Sequence, residues 1–218
     1  MGTKVDGSDS VAVSIAPASH WPTIRALILV VSAEKKGVSS TSGMQITVST
    51  SPLMSHRASV VVPINMLKMT EAILNKDFQT FGEVTMRESN SFHATCADTY
   101  PPIFYMNDVS KAAIRVVEDI NKQAGKVIAA YTFDAGPNAV IYYEEENSEA
   151  VAGALKSVLG NLEGWQGKEI VAREAEIDAK AVQVLKEGVS RVILTGVGEG
   201  PIRVEESLIG EDGEPVKK

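Results

Sequence analysis

The sequence predicts an α+β fold, a ferredoxin-like antiparallel sheet with additional helices, and three observations carry that expectation. An apolar run at residues 26–31 reads as a buried strand. Two apolar runs flanking Asp134-Ala135-Gly136-Pro137-Asn138 read as a hairpin, and residues 191–195 restore a short strand near the end of the chain. Helically spaced stretches lie between them, so the order is strand, helices, helix, hairpin, helix, strand.

The first strand is Ala26-Leu27-Ile28-Leu29-Val30-Val31, and Lys35-Lys36-Gly37 forms the loop after it. Ser39-Ser40-Thr41 has the hydroxyls and turn propensity of a helix start. Pro63 opens a helical stretch with Ile64, Leu67, Thr70 and Leu74 on one stripe, and after Asp77 come Phe78, Phe81, Val84 and Thr85; both read as core helices. Val109, Ala112, Ala113, Val116, Val117 and Ile120 follow the spacing of one helix face, with Asn107 or Asp108 as cap and Gly125 as stop.

The hairpin joins residues 127–133 to 139–143, with Gly136 free to take a positive φ and Pro137 stiffening the turn. Ser148 begins a helix whose stripe is Val151, Ala154, Leu155, Val158 and Leu159, stopped by Gly160. Residues 160–190 are charge-rich; Ile177, Ala181, Val184 and Leu185 predict a peripheral helix in a segment suited to insertion or motion. Gly196-Val197-Gly198-Glu199-Gly200-Pro201 departs from the G-x-G-x-x-G spacing of a nucleotide loop and reads as a turn.

Composition excludes several function classes. The chain has 218 residues, enough for one large domain or two small ones with a proper core. Its apolar runs are too short to span a bilayer, so no membrane partner is expected. The single cysteine, Cys96, excludes an internal disulfide and fits a reducing, cytoplasmic compartment. A formal charge of −7 without any Lys/Arg block argues against nucleic acid as a partner.

Asp134 is the leading catalytic candidate, because a lone carboxylate at a stiff strand end is well placed for chemistry. Asp, Gly, Pro and Asn are also ordinary turn residues, so a plain hairpin connection competes with that reading. Ser40 and Thr41, at a helix start where the dipole favours anions, are candidates for binding a substrate phosphate or carboxylate, with simple N-capping as the alternative. Met44 lies one turn on, where a core methionine is the default. His93-x-x-Cys96 lacks a second ligand pair, so no metal is expected and His93 reads as a satisfied helix residue. Glu144-Glu145-Glu146 reads as solvated surface, and Phe104-Tyr105-Met106 as core or interface.

The string Tyr131-Thr132-Phe133-Asp134-Ala135-Gly136-Pro137-Asn138 resembles the signature of the diphosphomevalonate decarboxylases, in the superfamily of small-molecule kinases that includes galactokinase, homoserine kinase and mevalonate kinase. Four further stretches agree in order: Val38-Ser39-Ser40-Thr41-Ser42-Gly43-Met44, Ser89-Asn90-Ser91-Phe92-His93-Ala94-Thr95, Pro101-Pro102-Ile103-Phe104-Tyr105-Met106-Asn107-Asp108 and Arg191-Val192-Ile193-Leu194-Thr195. The resemblance is strongest to the fungal enzymes.

The resemblance implies the C-terminal domain of that superfamily: residues 21–218 as a substrate and catalytic-base domain, and residues 1–20 as a remnant of an N-terminal domain. The family's glycine- and serine-rich ATP loop lies ahead of the matched part, so Met1 reads as an internal start or a truncation. In the complete enzyme the resemblance implies ATP with Mg2+, mevalonate diphosphate as substrate, isopentenyl diphosphate, ADP, phosphate and carbon dioxide as products in isoprenoid and sterol biosynthesis, and a homodimer. No cofactor is expected on this chain alone, which is expected to be inactive. A non-catalytic dimerisation or regulatory module is the alternative. A small-molecule kinase is disfavoured, because such kinases carry a more glycine-rich loop where Asp134 to Asn138 stand.

Residue by residue, the resemblance gives Asp134 the task of orienting and deprotonating the substrate's tertiary hydroxyl, and makes Ser40 a substrate contact beside Thr41, Met44 and Gly136. An aspartate of ordinary pKa, about 3.9, lies about 12 units below water at about 15.7, a gap on the order of 16 kcal/mol. Proton transfer must therefore accompany phosphoryl transfer, with the carboxylate positioning the nucleophile and accepting the proton late.

Overall fold

The computed structural model describes residues 4, 6–31, 38–165, 169–201, 203–210 and 213–216. Four strands form one antiparallel sheet: β1 (Ile24–Val31), β2 (Ala129–Thr132), β3 (Ala139–Glu144) and β4 (Val189–Gly196), in the order β2-β3-β1-β4. This is the ferredoxin-like arrangement expected from the sequence. Leu27 is central to it, paired with Ile141 on one side and Leu194 on the other.

Among the described residues seven α-helices accompany the sheet: α1 (Ser40–Thr50), α2 (Pro52–His56), α3 (Val62–Asn75), α4 (Phe78–Asp98), α5 (Asp108–Ala124), α6 (Ala154–Leu159) and α7 (Ala179–Gly188). A π-helical turn, Arg57–Val61, joins α2 to α3, and another, Glu149–Gly153, leads into α6. Helix α5 follows the sequence reading closely. Asn107 and Ser110 form a reciprocal capping box, and Gly125 closes the helix at φ 67°, a left-handed conformation that glycine adopts without a Cβ penalty.

The main core unites Leu27, Leu29, Ile141 and Tyr143 of the sheet with Val116 and Val117 of α5 and Leu155 of α6. Each such side chain contributes about 1.5–3 kcal/mol when fully buried. A smaller cluster gathers Trp21, Ile24 and Phe78, with Phe81, Val127 and Tyr142 packed against it.

Several expectations are corrected. Helix α7 is no peripheral element: Ala181 and Leu185 belong to the main core, as do Trp165 and Ile170 before it. The charged residues of that segment hid the few apolar anchors that tie it down. The α3 stripe fails in the opposite sense, since Ile64, Leu67 and Leu74 are 48%, 69% and 50% exposed. Periodicity identifies an apolar stripe but not what covers it, and α3, packed on α4, leaves this one about half exposed or more. The expected loop Lys35-Lys36-Gly37 lies outside the described residues.

Candidate functional site

Strands β2 and β3 are joined by residues 133–138, too long a connection for a tight two-residue turn. Gly136 is consequently not among the positive-φ glycines; it is buried instead, which corrects the expected turn geometry. The loop is fastened from three sides. Ser89 Oγ on α4 accepts the Phe133 N–H at 3.1 Å, Ser110 Oγ at the start of α5 donates to the Pro137 carbonyl at 2.9 Å, and Asn138 Oδ1 accepts the N–H of Val31, the last residue of β1, at 2.9 Å. Asp134 sits between these fastenings with its side chain exposed.

Helix α1 starts as the hydroxyl cluster predicts, and Ser39 is the cap, its Oγ accepting the Ser42 N–H at 3.1 Å. Ser40 and Thr41 are therefore not spent on capping. Ser40 and Met44 line a cavity of about 260 Å³ together with Gly43, Arg57, Cys96 and Tyr105, and Ala135 of the Asp134 loop closes one side. The structure thus brings Ser40, Met44 and the residue next to Asp134 to one cavity. Thr41, Asp134 itself and Gly136 are not in its lining.

Of the other lining residues, the sequence does not single out Arg57 and marks Tyr105 only as core or interface. Arg57 forms a 2.6 Å ion pair with Glu88 and donates to Ser91 Oγ at 2.9 Å, so its charge is matched at the cavity wall. An isolated arginine before a Ser/Val run carries no sequence signal of that role. The Tyr105 hydroxyl donates to the Ser39 carbonyl at 3.4 Å and lies over Gly43, where a Cβ would overlap it. The Tyr105 side chain thus spans the start of α1.

Electrostatics around the loop follow burial. Desolvation pushes the His93 imidazole below its usual pKa, against the Phe133 backbone and the Asp134 charge, which favour the protonated ring. Burial pushes the Cys96 thiol up, with nearby Arg57 opposing. Tyr131 is raised by burial, while its hydroxyl exchanges hydrogen bonds with Asn90 at 3.1 and 3.2 Å. His93 is not the satisfied residue expected, because Nε2 is buried without a partner. Among the described residues no three His, Cys, Asp or Glu side chains gather to hold a metal ion. The acidic hairpin exit is also more engaged than expected, with Glu144 accepting from Trp21 Nε1 at 3.0 Å and Glu145 pairing with Arg25 at 2.7 Å.

The fold and site define an α+β domain with a ferredoxin-like sheet, whose fastened Asp134 loop lies beside a mainly apolar cavity. The model for the mevalonate 5-diphosphate decarboxylase C-terminal domain matches residues 26–204, and the chain belongs to that family. It is 60% identical over 223 residues to the diphosphomevalonate decarboxylase of Aspergillus fumigatus, covering 98% of this chain and 55% of that protein. A crystal structure of a mevalonate 5-diphosphate decarboxylase superposes with a TM-score of 0.84 at 47% identity, over 97% of this chain and 57% of the other. A structure of the mevalonate diphosphate decarboxylase from Enterococcus faecalis, described by a mevalonate diphosphate mediated ATP binding mechanism, matches with a TM-score of 0.59 at 28% identity, over 67% and 43% of the two chains. The chain spans about half the length of the curated relatives it matches.

Proposed function

We propose that this chain supplies the catalytic base and part of the substrate pocket of an ATP-dependent decarboxylase that converts mevalonate diphosphate to isopentenyl diphosphate, with release of ADP, phosphate and carbon dioxide. The observation that carries the reading is the three-sided fastening of the Asp134 loop beside the cavity edged by Ser40 and Met44. Asp134 holds the tertiary hydroxyl in line with the γ-phosphate and takes its proton late in the transfer. A positioned carboxylate of this kind contributes about 10²–10⁴-fold. Ser40 donates to an oxygen of the substrate, and the apolar wall with Met44 receives its methyl-bearing carbon skeleton.

The polyanionic part of the chemistry needs other groups. A charge of −7 repels triphosphate and diphosphate, and the cation facing the cavity, Arg57, is already paired with Glu88. These residues do not fit ATP or its Mg2+, and we assign both, with the diphosphate contacts, to the part of the relatives outside the match. Cytoplasmic location and a homodimer complete the proposal; among the described residues no helix is long and apolar enough to cross a membrane. The exposed apolar side chains of α3 favour association, which is also what a non-catalytic assembly module would need.

Calorimetry separates the parts. The 218-residue chain titrated with ATP and Mg2+ is expected to give no micromolar binding, and mixing it with the remaining part of the Aspergillus fumigatus relative is expected to restore binding and carbon dioxide release. Micromolar ATP affinity of the chain alone would overturn the division of labour.

A further inference from the structure

Helix α1 presents Ser40 to the cavity, and little apolar surface holds the helix in place. Of its residues only Gly43 and Thr47 are buried, whereas Met44 and Val48 are 45% and 62% exposed. A row of polar contacts to the end of α4 and the segment after it holds the helix instead. Thr47 Oγ1 meets Thr99 Oγ1 at 2.9 Å, Thr50 Oγ1 accepts the Tyr100 N–H at 3.0 Å, and Oγ of the C-cap Ser51 donates to Asp98 Oδ2 at 2.6 Å. At the N-terminal end of this row stands Tyr105. It follows buried Ile103, whose N–H donates to the Cys96 carbonyl at 3.0 Å, and precedes Asn107, which opens the capping box of α5. The Tyr105 hydroxyl lies over Gly43, in room that a Cβ would fill, and donates to the Ser39 carbonyl at 3.4 Å. That carbonyl also accepts the Gly43 N–H at 2.8 Å, so both of its lone pairs are engaged.

The Ser39 carbonyl and the Ser40 N–H belong to one peptide plane, and that plane is rigid. Holding the carbonyl from two directions fixes the plane's rotation, and with it the direction in which the Ser40 side chain leaves the backbone. The geometry points to Tyr105 as a positioning residue for Ser40: seated in the slot that Gly43 leaves open, its hydroxyl holds the Ser39–Ser40 peptide and aims Ser40 into the cavity. This rests on the reading of Ser40 as a substrate contact. Burial pushes the Tyr105 phenol above its usual pKa, so it remains a donor at neutral pH. The same short segment continues to Ser110, whose Oγ donates to the Pro137 carbonyl of the Asp134 loop at 2.9 Å. Residues 105–110 thereby tie the start of α1 to the loop of the base.

Two measurements test the inference. Carbon NMR on the 218-residue chain needs no activity: Tyr105→Phe keeps the ring and deletes one hydrogen bond, so the Ser39 carbonyl resonance should move upfield while those of Thr47 and Thr50 stay in place. An unmoved Ser39 carbonyl overturns the inference. The second is a double-mutant cycle on the chain complemented by the remaining part of the Aspergillus fumigatus relative. Loss of this one hydrogen bond in Tyr105→Phe should raise KM for mevalonate diphosphate roughly 3–10-fold, with kcat and the KM for ATP unchanged. With Ser40→Ala already present, the same change should leave KM within about 1.5-fold, because no side chain remains to be aimed. An unchanged KM in Tyr105→Phe, or a rise of equal size in both backgrounds, overturns the inference, since a merely structural hydroxyl would weaken both alike. If Ser40→Ala itself leaves KM unchanged, the reading of Ser40 fails and the inference falls with it. If Ser40→Ala raises KM and the cycle shows no coupling, only the role of Tyr105 is removed.

Discussion

Replacing Ser110 by Ala removes one hydroxyl that serves two structures at once. Ser110 is fully buried; its Oγ donates to the Pro137 carbonyl at 2.9 Å and accepts the Asn107 N–H at 3.2 Å, closing the capping box of α5. Two lost hydrogen bonds cost about 1 kcal/mol each, and the stranded Pro137 carbonyl adds about 1–2 kcal/mol when no replacement partner reaches it. The sum is on the order of 2–4 kcal/mol, which for a domain of this size lowers Tm by roughly 4–16 °C. Urea unfolding followed by circular dichroism measures it, with Asn107→Ala as comparison, since that change strips only the cap at a cost of about 1 kcal/mol. Hydrogen exchange should show the larger loss of protection at Ala135 and Gly136 in the Ser110 variant. A destabilisation below about 0.5 kcal/mol, or one no greater than that of Asn107→Ala, would refute the view that this hydroxyl fastens the Asp134 loop.

Three further outcomes are expected. Leu185→Ala, in a helix that sequence alone assigns to the periphery, should cost about 2–5 kcal/mol in chemical denaturation because the side chain is fully buried in the main core. Gly43→Ala should destabilise by about 1–3 kcal/mol as its Cβ collides with the Tyr105 hydroxyl, and adding Tyr105→Phe should recover most of the loss. His93 has a folded pKa below its unfolded value near 6.5, so the unfolded state binds more protons between the two values. Stability should therefore be complete above the unfolded pKa and fall as the solution is acidified through the window beneath it, and His93→Asn should flatten that segment of the pH–stability curve.

Where sequence and structure agree, a local pattern had one physical solution. The 3.6-residue spacing from Val109 to Ile120, bounded by Asn107 and Gly125, admitted only a capped amphipathic helix, and the short apolar runs around Asp134 admitted only paired strands. Where they diverge, the deciding contact was distant in sequence. Ile64, Leu67 and Leu74 form a genuine stripe, yet burial depends on a partner surface that the stripe does not encode. Leu185 lies on a stripe that its period shows, and Trp165 among charged neighbours, but that both join the main core follows from packing against distant elements such as α5.

The same holds for the site. Asp134, Ser40 and Met44 could be picked out by residue type and local setting, and the structure sets the last two on one cavity with the loop of the first. The groups that fasten the loop, Ser89 and Ser110, and the Arg57–Glu88 pair in the cavity wall act across 44, 27 and 31 residues of sequence. A serine in a helix or an arginine before a Ser/Val run looks the same whether or not it holds a loop or lines a cavity. Ser39 shows how fine the distinction becomes, since the cap falls on it rather than on Ser40 by a single position.

The central claim is that the carboxylate of Asp134, held by its loop, accepts the proton of the substrate alcohol. Carbon dioxide release from mevalonate diphosphate by the chain complemented with the rest of the Aspergillus fumigatus relative measures this most directly. Asp134→Asn, which keeps the shape and removes the basic oxygen, should lower the rate by about 10²-fold or more while leaving substrate affinity nearly unchanged. An Asn variant that releases carbon dioxide at the unsubstituted rate would contradict the account.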